Sequence, residues 1–139
     1  MGLNIPPMAH SVLMLGMVAG VAACECRAIL TPVATSPDHL AVAIAGGGGF
    51  CGDQAFIGII EAYRGPTFEP LWRVESSGKK TPLLQTLIYG QVPLGYREKQ
   101  AAVPLAVGDN VYINVYGPGY RGKIHVVVGP RALPPGLAQ

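Results

Sequence analysis

Val111, Ile113 and Val115 alternate with Tyr112, Asn114 and Tyr116, and a few residues later Ile124, Val126 and Val128 alternate with Lys123, His125 and Val127. Successive side chains of an extended strand point to opposite faces, so a period of two marks half-buried β-strands. Between the two runs lies Gly117-Pro118-Gly119-Tyr120-Arg121-Gly122, a turn-rich connection, and together they predict an antiparallel hairpin. The same alternation recurs upstream. In 40–45, Leu40, Val42 and Ile44 share one face and alanines the other, and in 71–75, Trp72 and Val74 alternate with Leu71, Arg73 and Glu75. Segments 55–62 and 83–89 are more continuously apolar; their length predicts central strands, with a short helix as the alternative. One more strand is expected from Cys26 to Leu30, ahead of Pro32, for a total of about seven. The chain holds 19 Gly and 13 Pro, yet half its residues are apolar, a combination that suits a turn-rich all-β domain with one core.

Several function classes are disfavoured by what the chain lacks. Charged residues make up 13% and the formal net charge is +2. The cations form no long cluster, so no nucleic-acid partner is expected. No serine sits in a Gly-x-Ser-x-Gly elbow. Ser36, Asp38 and His39 are neighbours in sequence, but nearness in a loop supplies neither an oriented base nor an oxyanion hole. Asp38, Asp53, Glu61, Glu69, Glu75 and Glu98 are dispersed, so no catalytic pair is expected and the chain reads as no enzyme. Gly46-Gly47-Gly48-Gly49-Phe50-Cys51-Gly52-Asp53 lacks the Gly-Lys-Ser/Thr ending of a phosphate-binding loop and reads as a mobile tip whose base is pinned by Cys51, with a partner-binding loop as the alternative. Tyr89, Tyr96, Arg97 and Lys99 are candidates for a partner-binding aromatic and basic patch; the alternative has Tyr89 half-buried in a strand and Tyr96 covering a loop. Trp72, alone on an alternating strand, reads as core.

Every Lys, Arg, Asp and Glu lies after residue 24. The apolar run Leu13 to Ala23 has the length of a signal-peptide core and is short of the roughly 20 residues of a membrane span. It closes on Val21-Ala22-Ala23-Cys24, which resembles a bacterial lipobox. That resemblance implies cleavage before Cys24, a diacylglycerol on its sulfur, an N-acyl chain on its amine, and a protein lipid-anchored to the inner or outer membrane with its domain in the periplasm or at the cell surface. No cofactor beyond this lipid is expected. Val21 and Ala23 also fit ordinary secretory cleavage without lipid. Met8 is an alternative start to Met1. The expected organisation is a signal peptide at 1–23, a domain at 24–129 and a Pro-rich tail at 130–139.

With Cys24 acylated, two of the three cysteines remain. Cys26 and Cys51 form an even pair, a natural disulfide in an oxidising envelope. The alternatives are two buried thiols, or a Cys-x-Cys metal site recruiting His39 and His125, which lack ligand spacing. No metal is expected. A disulfide at Cys26 would hold the domain close to the bilayer, since only Glu25 intervenes.

Two further resemblances bear on the fold. Leu105-x-x-Gly108 followed by Val111-x-Ile113-x-Val115 is similar to the corner before the penultimate strand of fibronectin type III and other immunoglobulin-like domains, where a tyrosine usually stands at the place of Val111. Tyr112 falls one residue later and is expected on the opposite face. The run Trp72-Arg73-Val74, Ile88-Tyr89-Gly90-x-Val92-Pro93-x-Gly95-Tyr96 and Leu105-x-x-Gly108 resembles a group of small bacterial lipoproteins. It implies an antiparallel immunoglobulin-like β-sandwich on the cell envelope and no established reaction. Three functions follow as expectations. The first is a noncatalytic anchored protein that binds or supports an envelope or extracellular protein through loops far from the lipid. The second is an enzyme inhibitor inserting the Gly46–Gly52 or Gly117–Gly122 loop. The third is a carrier of a small apolar ligand, which needs an unfilled cavity.

Overall fold

A computed structural model describes residues 25–131. The lipobox with Cys24, the expected signal peptide, both candidate start residues and residues 132–139 lie outside the described residues. The described chain is all-β, with strands β1 (Cys26–Ser36), β2 (His39–Gly46), β3 (Ile59–Arg64), β4 (Glu69–Ser76), β5 (Thr86–Ile88), β6 (Tyr96–Gln100), β7 (Asn110–Gly117) and β8 (Tyr120–Val127). They form one mixed, curled sheet in the order β5-β2-β1-β8-β7-β3-β4-β6. All neighbours pair antiparallel except β1 and β8.

The hairpin read from the alternation is β7–β8, in register from Asn110↔Val127 to Gly117↔Tyr120. Val111, Ile113 and Val115 are buried to 1% exposure or less, while Tyr112, Asn114 and Tyr116 are half-buried on the outer face. Tyr112 thus points away from the core, as its one-residue offset requires. Leu40, Val42 and Ile44 of β2 face the core, joined by Trp72 and Val74 of β4 and by Ile57, Ile60, Leu71 and Leu87. No polar or charged residue is buried among the described residues.

Three local departures from simple alternation have identifiable causes. Leu71 and Trp72 are adjacent yet both buried, because Ala62 pairs with Trp72 and Tyr63 with Pro70, leaving Leu71 as the extra residue of a β-bulge. β1 runs past Pro32, where the expected strand stopped. Its pairing with β2 is irregular between Pro32 and Ala34, a place where the missing N–H of proline is tolerated. The eighth strand, beyond the seven expected, is β6. It pairs only with β4, and its Arg97, Glu98 and Lys99 give it the charged sequence of a sheet edge rather than an apolar alternation.

β1 is where the sheet curls. Cys26 and Arg27 pair in parallel with Tyr120 and Arg121 of β8, after which β1 leaves β8 and pairs with β2 from Ala28 onward. The departure passes so close to Gly122 that a Cβ there would lie 2.5 Å from the Ala28 carbonyl oxygen. Gly122 therefore lets the two backbones touch at the point where they separate.

Candidate functional site

The strand directions divide the loops between two ends. β1 begins, β2 ends, β7 ends and β8 begins at one end, which gathers Cys26, the 46–58 segment and the Gly117–Tyr120 turn. Cys26 and Cys51 are joined there in a disulfide with S–S 2.04 Å and Cα–Cα 5.6 Å. The Cys26 N–H donates to the Gly119 carbonyl at 2.7 Å, and the Tyr120 hydroxyl donates to the Cys51 carbonyl at 2.5 Å. Both loops proposed from sequence for insertion into an enzyme are thus tied to the first residues of the described chain. The disulfide uses the Cys26 sulfur that a Cys-x-Cys metal site would have needed as a ligand beside that of Cys24. Among the described residues, no group of three or more His, Cys, Asp or Glu could hold a metal.

Beside Cys26, where β1 diverges from β8, an open groove of about 780 Å³ is lined by Glu25, Arg27, Ile29, Asn114, Tyr116, Arg121 and Lys123 among others. Arg121 pairs with Glu25 at 3.1 Å and lies 5.9 Å from the centre of the Tyr116 ring. A shallower hollow on the other side of the disulfide is bordered by Phe56, Leu83 and Tyr120.

The opposite end carries the 36–39, 64–69 and 105–110 turns. Arg64 pairs with Glu69 at 3.1 Å and Asp109 at 3.3 Å, and the same Asp109 carboxylate accepts the Ala106 N–H at 2.8 Å. Asp109 thus closes the 105–110 turn, bonded at once to Arg64 and to the Ala106 N–H. Phe68, 61% exposed, sits at φ 54°, a strained conformation for a residue with a bulky side chain, and its ring packs 5.4 Å from Tyr112. Tyr112 in turn stacks on His125 at 4.5 Å, and the His125 ring contacts Asn110 Oδ1 at 2.9 Å. This aromatic row was missed in the sequence because its members come from three separate segments; the available signal was the Gly65-Pro66 turn before Phe68.

The four residues read as a partner-binding patch are not brought together on one surface. Tyr96 is buried, and its hydroxyl donates to the Ile57 carbonyl at 2.5 Å. Tyr89 is half-buried, its hydroxyl 2.6 Å from the Val103 carbonyl and 3.2 Å from that of Leu71. Arg97 and Lys99 alternate with Tyr96 along β6 and stand exposed, Lys99 3.8 Å from Glu75. The tyrosines are spent on backbone carbonyls inside the fold, and strand periodicity turns the cations outward. Outside them, Arg73 joins Glu61 and Glu75 on the outer face of the sheet, and its hydrogen bonds hold the Glu75 carboxyl below its ordinary range. Of the serine, aspartate and histidine neighbours, Ser36 donates to the His39 carbonyl and Asp38 pairs with Arg131. Arg131 lowers the Asp38 pKa, and neither contact orients the His39 ring as a base.

Burial pushes the Tyr89 and Tyr96 phenols up to about 12. An unfolded tyrosine ionises near ~10. Above that pH the unfolded chain releases protons that the folded chain retains, so stability that is complete below it falls as pH climbs toward the folded value. Tyr96→Phe is expected to make that alkaline decline shallower while lowering stability near neutrality by about 1 kcal/mol, because the Ile57 carbonyl loses its donor. Urea midpoints across the alkaline range measure both effects; an unchanged slope would show that Tyr96 already ionises freely in the folded state.

No family model, curated protein or solved structure matches this chain.

Proposed function

We propose that the protein is a noncatalytic lipoprotein of the bacterial envelope, held at the membrane by a lipid on Cys24, with a β-domain that offers the end carrying Phe68 to a protein partner. In this reading the curled sheet is an immunoglobulin-like sandwich. Strands β5-β2-β1 make one layer, β8-β7-β3-β4-β6 make the other, and β1 passes between them. The observation that carries the proposal is the Cys26–Cys51 disulfide, which leaves Cys24 as the odd cysteine of three at the end of the apolar run. An anchor at Cys24 puts the Gly46–Gly52 and Gly117–Gly122 loops at the bilayer, which favours a standing partner over an inhibitor using those loops. At the far end, Phe68 is 61% exposed with its ring against Tyr112 of the Tyr112–His125 stack, and Val107, in the 105–110 turn, is also 61% exposed. An exposed apolar residue held in a strained conformation on a polar rim suits protein recognition.

The intact mass of the full chain extracted from membranes, beside a Cys24→Ala variant, tests the anchor. The expected result is a diacylglycerol and acyl increment on the chain from Cys24 onward, absent from the variant, which leaves the membrane fraction. An unmodified, soluble chain would replace the lipoprotein reading with secretion. In the same cells, a photo-crosslinking residue at Phe68 is expected to give a discrete protein adduct that the same probe at Val33 does not. Adducts at both positions, or at neither, would remove the far-end partner surface.

A further inference from the structure

The end that carries Cys26 has a surface unlike the other. The 46–53 segment is an ordered tip: Gly46 N–H donates to the Asp53 carbonyl and Gly48 N–H to the Gly52 carbonyl, both at 2.8 Å. Gly48, Gly49 and Gly52 take φ of 76°, 58° and 73°, a backbone that glycine adopts without strain. What this turn holds out is Phe50, 98% exposed, against 61% for Phe68, 43% for Phe56 and 1% for Trp72. A phenyl ring presented wholly to water by an ordered turn gains by transfer into an apolar or interfacial medium.

Three observations say which medium. The disulfide ties the residue after Phe50 to Cys26, and Cys24 is two residues before Cys26, so chain geometry keeps its Cα within about 8 Å of that of Cys26. Phe56 and Leu83, on the same side as the tip, are 43% and 44% exposed. On the other side of Cys26, the groove presents Arg27, Arg121 and Lys123, and among the described residues neither Arg27 nor Lys123 has a carboxylate within ion-pair distance. At the far end, by contrast, both arginines are paired, Arg64 with Glu69 and Asp109 and Arg131 with Asp38. Apolar side chains flanked by unpaired cations, next to an acylated residue, match an anionic bilayer surface.

We propose that this end of the domain seats on an anionic phospholipid bilayer, with Phe50 in the interfacial region and Arg27, Arg121 and Lys123 against headgroup phosphates. The inference rests on the lipoprotein reading of Cys24. The lipid then holds the domain at the membrane, while the Gly48–Gly52 tip and the basic groove set its orientation and turn the Phe68 end away from the bilayer.

The test uses the processed full chain with Phe50→Trp, its mass confirming the lipid, in vesicles of equal parts phosphatidylethanolamine and phosphatidylglycerol. Trp72, enclosed in the core, is the internal reference measured in the parent protein. The expected result is a blue-shifted contribution from position 50 that is lost when the acyl chains are brominated, with Trp72 emission unchanged. In vesicles of phosphatidylcholine alone, or with Arg27→Glu and Lys123→Glu added, that quenching is expected to weaken. A chain with the lipid mass whose position-50 emission stays solvent-like overturns the proposal and leaves the lipoprotein reading standing. A chain without the lipid mass overturns both. Quenching indifferent to lipid charge and to the two reversals overturns the headgroup role of the cations.

Discussion

Trp72→Ala is expected to destabilise the domain by about 3–5 kcal/mol, the range for removing a large aromatic side chain from a packed interior. Trp72 is 1% exposed, its ring meets Tyr89 edge-on at 5.4 Å, and its Nε1–H donates to Glu98 Oε1 at 2.9 Å. The substitution therefore opens a cavity between strands, removes the aromatic pair and releases a contact that ties edge strand β6 to β4. Domains of this size are stable by about 5–15 kcal/mol, so the loss consumes much of the margin. Trp72→Phe, which keeps the ring and loses only the N–H and part of the volume, is expected to cost markedly less. Urea unfolding followed by circular dichroism is the suitable measurement, because Trp72 is the chain's single tryptophan. A midpoint near that of the parent after Trp72→Ala would mean that the sheet does not depend on this packing.

Breaking the Cys26–Cys51 disulfide is the second large effect. The cysteines are 25 residues apart, and a cross-link closing a loop of that length restricts the unfolded chain by about 3 kcal/mol. Cys26→Ser with Cys51→Ser is expected to lower stability by about that amount, and mild reductant should do the same to the parent. The loss has a structural focus. Without the link, the parallel contact between β1 and β8 rests on two residue pairs, Cys26↔Tyr120 and Arg27↔Arg121, and the Gly48–Gly52 tip keeps only the Tyr120 hydroxyl as a tie to β8. Hydrogen exchange should show the 46–53 amides and the start of β1 opening before the β7–β8 hairpin. An unfolding midpoint that ignores reductant would mean that the pair is not cross-linked in the protein.

For the site, sequence and structure diverge in an instructive way. Tyr89 and Tyr96 stand beside Arg97 and Lys99 in the chain, and adjacency suggests a shared surface; the strand sends Tyr96 inward and its two cationic neighbours outward. Conversely, Phe68, Tyr112 and His125 are far apart in the chain and meet only because β7 lies between β3 and β8. The Gly46–Gly52 segment was legible as a loop pinned at Cys51, yet its position at the Cys26 end depends on the antiparallel pairing of β1 with β2, and its nearness to the Gly117–Tyr120 turn on the pairing of β1 with β8. The proposed seating of the tip on the bilayer rests on that placement.

Read alone, the amino-acid order determined the all-β class, the β7–β8 hairpin, the core faces of β2 and β4, the outward face of Tyr112 and the candidate pairing of Cys26 with Cys51. These rest on alternation within a few residues, or on counting, and both are local properties of the chain. Only the tertiary structure decided that β6 exists as a charged edge, that Leu71 is buried through a bulge, that β1 crosses at Gly122, and which loops share an end. Each depends on which strands become neighbours, a choice made by contacts between distant residues, and side-chain periodicity is the same whichever neighbour is chosen.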